Sequence, residues 1–160
     1  MADDATLSLY DRDFYLWTQT EADKLRARIG RDNALDYEHL AEEVADLGSE
    51  QRNKVASYVR LIIEHLYKLH ATRRPEPVGH WIGEILNFRA EAEAPMTATI
   101  RRLVEADLET LHQKAGRIAE RKFRYDEPGS TIDLDQRWTW DEIMGEGSPD
   151  PVDLTFPRAR

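Results

Sequence analysis

Apolar positions three and four residues apart dominate the chain from Asp11 to Phe123, the period of helices that turn one face to a core. A first segment, Asp11 to Ile29, carries Phe14, Trp17, Leu25 and Ile29 and stops at Gly30, a residue type favoured just past a helix end. Thr18 and Glu21 have the spacing of a capping box, so this segment is either whole or divided there. A second helix is predicted from Asp36, whose carboxylate caps free backbone amides, to Leu47, with Leu40, Val44 and Leu47 on one face and Gly48 ending it. Ser49 then caps the longest helix, Glu50 to Arg73, in which Val55, Val59, Ile62, Leu66 and Leu69 repeat and Tyr58 and Ile63 widen the stripe.

Pro75 and Pro77 break the pattern. A fourth helix places Val78, Trp81, Ile82, Ile85 and Phe88 inward and ends near Ala94, because Pro95 disfavours helical geometry before it. A fifth, Thr97 to Phe123, keeps Ile100, Val104, Leu108, Leu111, Ala115 and Ile118 in phase, with Gly116 as a weak point. After Tyr125 the composition changes. Asp126 to Ser130 reads as a turn, and one short helix follows with Thr139 and Glu142 as its capping box. Trp138, Trp140, Ile143 and Met144 are too apolar for a free tail. The fold expected is all-α: a single bundle of about five main helices over residues 1–125, with residues 126–160 as an arm packed back on it.

Composition narrows the function. A chain of 160 residues with 41% hydrophobic content can build a core without a metal or a disulfide. The absence of cysteine removes thiolate metal sites and cysteine nucleophiles. The acidic start, Met1-Ala2-Asp3-Asp4, is followed by no apolar run of signal length, and no stretch is long enough to span a bilayer, so a cytoplasmic location away from membranes is expected. A net charge of −9 repels phosphate backbones, which argues against nucleic acid as a partner. Arg117, Arg121, Lys122 and Arg124 form a local basic exception, read as charges that favour a helix C-terminus.

Candidate chemistry is sparse. A di-metal bundle site needs two Glu-x-x-His pairs, and only Glu109 and His112 match; a solvated helix face explains that pair. His39 and Glu43, four apart, are neighbours on one helix face, and with His65 they form a geometrically possible metal cluster; hydrogen-bonded histidines at the edge of the core are the plainer reading. No phosphate loop, nucleophile elbow or zinc-protease motif occurs, and no cofactor is called for.

The blocks Asp13-Phe14-Tyr15-Leu16-Trp17, Leu35 to Glu43, Leu47-Gly48, His65-Leu66-Tyr67-Lys68, and Trp81 with Glu84-Ile85 and Arg89 resemble the family catalogued as domain of unknown function 29, over roughly residues 10 to 120. The resemblance implies a small helical protein, mostly bacterial, without an established activity. The expectation is a non-enzymatic module that binds an unidentified protein or pairs as a homodimer; the rival is a small-molecule or metal-dependent enzyme using Glu43, His65 and Lys68. Consecutive helices with a one- or two-residue joint at Gly48-Ser49 must turn sharply, so Glu43, His65, Lys68 and Glu84 are predicted to converge in a partly buried polar pocket floored by Trp81.

Overall fold

Eight consecutive residues, Ile62 to Leu69, are buried in the computed structural model, and a helix without an exposed face must be surrounded. The structure describes residues 7–147 and 149–154; the end of the expected arm, 155–160, lies outside them. Eight helices form among the described residues: α1 (Leu9–Arg12), α2 (Phe14–Arg26), α3 (Tyr37–Ala71), α4 (Val78–Glu93), α5 (Ala98–Ala106), α6 (Leu108–Asp126), α7 (Trp140–Met144) and α8 (Pro151–Leu154). No strand occurs among those residues.

The axis of the molecule is α3, 35 residues long and therefore about 52 Å from end to end. It replaces the two helices expected on either side of Gly48. Glycine stands there for packing and not for chain reversal. A Cβ at position 48 would lie 2.1 Å from the Thr18 hydroxyl oxygen, so the missing side chain is the notch that receives α2. Thr18 and Ala22 are fully buried in that contact, and Gln19 donates to the Ala45 carbonyl at 3.1 Å. Ser49, expected as a cap, instead donates back to the Ala45 carbonyl at 3.1 Å, as a serine inside a helix does.

Two further boundaries differ from expectation. The first segment divides at Asp13, not at Thr18. The Asp13 carboxylate caps α2 by accepting from the Leu16 N–H (2.9 Å) and also takes the Thr97 hydroxyl (3.1 Å), which ties α2 to the start of α5. The long fifth helix is two, α5 and α6, separated by Asp107 at φ −90°, ψ 6°. One residue off helical ψ leaves the four-residue spacing from Val104 to Leu108 intact, so periodicity cannot register it. Gly116, expected as a weak point, is buried beneath Tyr67 and Leu134.

The C-terminal half of α3 carries the core. α4 runs antiparallel to it, since Tyr58 meets Glu91 and His65 meets Glu84; α6 runs parallel, since Arg52 bonds Asp107, Glu64 bonds Lys122 and Thr72 bonds Glu127. Trp138, Trp140, Ile143 and Met144 join the same cluster as Val59, Ile62 and Leu66. The N-terminal half of α3 is different. Its buried positions are the small residues Ala41 and Gly48, and Leu40 and Leu47, expected to face inward, stay 38% and 50% exposed.

Candidate functional site

A helix buried on all sides has to pair its polar side chains, because an unpaired charge away from water is costly. Within the buried stretch of α3 these are Glu64, His65 and Lys68. Glu64, fully buried, accepts from Lys122 Nζ of α6 at 2.6 Å and from Arg60 Nη1 at 3.2 Å, and Lys68 Nζ lies 3.2 Å from it. Burial would raise its pKa, but the Lys122 hydrogen bond and the charges of Lys68 and Lys122 outweigh that, so the carboxyl stays below its usual range and ionised. Lys68 also sits 5.8 Å from the centroid of the Trp81 ring, a cation–π contact. Trp81 in turn packs on Phe123 of α6, centroid to centroid 6.2 Å.

His65 is one turn along. Its Nδ1 faces the Leu61 carbonyl at 2.8 Å. Its Nε2 meets Glu84 Oε2 of α4 at 2.6 Å, with the Phe88 ring edge-on at 5.5 Å. The other Glu84 oxygen lies 3.6 Å from exposed His80.

Of the residues expected to converge, the structure therefore brings His65 to Glu84 and Lys68 to Trp81. Glu43 is not among them. It is exposed and lies on the same unbroken helix as His65, 22 residues earlier, which is about 33 Å along the axis. His39, further still, is occupied at the N-terminus of α3, where its Nδ1 meets Asp36 Oδ2 at 2.7 Å. A metal cluster of His39, Glu43 and His65 is thus ruled out by the continuity of α3, and among the described residues no group of three or more His, Asp or Glu side chains is arranged to hold a metal ion.

The nearest cleft, about 340 Å³, is lined by Trp81, Phe123, Pro77, Arg74, Asp126 and Glu127 among others. His65, Lys68, Glu64 and Glu84 do not line it.

Two anchors of the C-terminal segment carry chemistry that periodicity alone did not single out. Arg89 of α4 is buried: Nε donates to the Ile143 carbonyl (2.8 Å), Nη2 to the Glu142 carbonyl (3.1 Å), and the fork grips Asp150 at 2.6 and 2.9 Å. The signal was an arginine in phase with buried Ile85 and Ala92. His112, expected on a solvated face, is buried at 2% exposure; Nδ1 faces the Leu108 carbonyl at 3.0 Å and Nε2 accepts the Trp138 N–H at 3.0 Å. Its neighbour Glu109 is exposed and bonded to Arg137 at 2.9 and 3.0 Å, which holds that carboxyl at about 2. The Glu-x-x-His spacing thus serves to dock the arm.

No curated protein matches this chain. Among solved structures it is similar to an alpha-helical protein of unknown function from Rhodospirillum rubrum, with a TM-score of 0.75 and 22% identity, covering 93% of this chain and 96% of that one. At that identity the likeness speaks for the fold alone. A family model described as Domain of unknown function DUF29 matches residues 9–147, which run from α1 past α7 and include every residue of the buried cluster. By that span the chain belongs to the DUF29 family.

Proposed function

We propose that this protein is a non-catalytic helical interaction module of the cytoplasm, in which the polar cluster of α3 fixes the packing of α4 and α6 and recognition takes place on the surface. The observation that carries the reading is the self-saturation of the cluster. Glu64 is surrounded by three cations, both His65 nitrogens are committed, Lys68 is held between Glu64 and Trp81, and none of these groups lines the adjacent cleft. A catalytic group needs a free face toward the place where a reacting atom sits. Two further facts support the reading: no helix among the described residues is long and apolar enough to cross a membrane, and the exposed Leu40 and Leu47 lie one above the other on the open half of α3.

The test is thermal melting of His65→Ala. Removing the ring leaves the Glu84 carboxylate without its bond from α3, and a lower melting temperature is expected, by an amount on the order of 1–3 kcal/mol in stability. A variant that melts with the wild type would speak against a structural cluster and for a functional one.

A further inference from the structure

The charges of this acidic chain are segregated. From Asp36 to Gln51 it carries Asp36, Glu38, Glu42, Glu43, Asp46 and Glu50 with no lysine or arginine. On the outer side of α6 stand Lys114, Arg117, Arg121 and Arg124, all exposed, spaced three, four and three apart, and none with an ion-pair or hydrogen-bond partner among the described residues. At 100° per residue these four fall within about 80° of one another, a single stripe some 15 Å long. Glu42, Glu43, Asp46 and Glu50 likewise form one exposed stripe, some 12 Å long, and none of them has an ion-pair partner among the described residues.

The two stripes are arranged as a step. Glu42, Asp46, Asn53, Arg60, Glu64 and Tyr67 share one side of α3, within about 60°. Toward its C-terminus that side is covered by α6, as the Glu64–Lys122 bond and the Tyr67–His112 ring contact require. The start of α6 is pinned at Asp107 by Arg52. Beyond that point the same side of α3 continues uncovered and acidic, while α6 rises above it by one interhelical distance, about 8–10 Å, and presents its basic stripe outward.

We infer that the protein pairs with a second copy of itself across this step, the basic outer face of α6 in each copy resting on the acidic half of α3 in the other. This rests on the reading of the chain as an interaction module and names its partner. A two-fold axis at the step makes both contacts at once and identical, as an isologous dimer demands. Each copy then sets four cations against four carboxylates over matching lengths. A phosphate backbone fits this face less well, because it would have to lie beside the acidic stretch on a molecule of net charge −9. Exposed ion pairs are individually weak and screened by salt, so the dimer is a salt-sensitive one.

Sedimentation equilibrium of the full chain tests this. Dimer is expected at about 0.01 M salt and monomer at about 1 M, where the screening length falls from about 30 Å to about 3 Å. Arg117→Glu with Arg121→Glu, and separately Glu42→Lys with Asp46→Lys, should each weaken self-association by about tenfold or more. Mixing those two variants should restore a heterodimer, since both contacts are then again opposite in sign. Wild type that is monomeric at low salt, or a dimer indifferent to salt and to both reversals, overturns the inference. So does a monomer that retards a labelled DNA duplex through Arg117 and Arg121, which would assign the stripe to a phosphate backbone. Any of these results removes the second copy as partner and leaves the melting of His65→Ala as the separate test of the module reading.

Discussion

His112 donates from Nδ1 to the Leu108 carbonyl and accepts the buried Trp138 N–H at Nε2, so only the neutral ring satisfies both neighbours. Burial holds its pKa below the ordinary value of 6.5; the Leu108 hydrogen bond opposes this and the Arg137 charge reinforces it. In the unfolded chain the ring takes a proton as pH falls through its ordinary value, whereas in the fold it resists. Below that value the unfolded state binds more protons, so this residue's contribution to stability is complete above about 6.5 and is lost as pH falls, until the folded ring is protonated too. Urea midpoints measured from neutral pH down to about 5 should fall for the wild type. His112→Gln should start lower and fall less steeply. An identical slope in the two proteins would show that His112 does not sense the arm. Arg89 has the same logic without titration, since its permanently charged fork replaces water for two carbonyls and Asp150.

At the level of elements, the three-and-four spacing located α4 and α7 well, because Pro77 and Pro95 bracket the one and a capping box opens the other. It misread Gly48. In sequence a mid-helix glycine and a helix-stopping glycine look alike, and only the approach of α2 decides between them. Thr18 shared the ambiguity: a hydroxyl three residues before Glu21 resembles a cap, yet it bonds the Tyr15 carbonyl at 2.7 Å inside α2 and fills the notch at Gly48. These two positions should therefore be coupled. Gly48→Ala raises helix propensity by about 1 kcal/mol, but the overpacking against Thr18 costs about 1–3 kcal/mol, so a net loss is expected. Thr18→Ala in the same chain should recover most of it. Denaturation of the two single variants and the double variant gives the coupling directly, and simple additivity would mean that α2 does not seat in this notch.

At the scale of the whole molecule, what could be read along the chain was the helical class and the identity of the polar residues. Where they meet depends on α3 running unbroken through Gly48. That continuity separates Glu43 from His65 by about 33 Å and at the same time exposes the acidic stretch and the pair Leu40 and Leu47. The exposed half of α3, the basic outer face of α6 and the buried cluster between them are thus consequences of one structural fact.

On the proposed reading the buried cluster supports the fold and does not do chemistry. Catalytic and ligand-binding groups are commonly held at a cost to stability, so replacing them leaves a protein as stable or more so. Structural partners behave in the opposite way. Glu64 is the keystone, with Lys68 buried beside it and Lys122 reaching in from α6. The most direct measurement is the unfolding free energy of Glu64→Ala by urea denaturation. A loss of about 3–5 kcal/mol is expected, the cost of leaving the buried Lys68 ammonium without its counter-charge. A variant as stable as the wild type, or more stable, would contradict it.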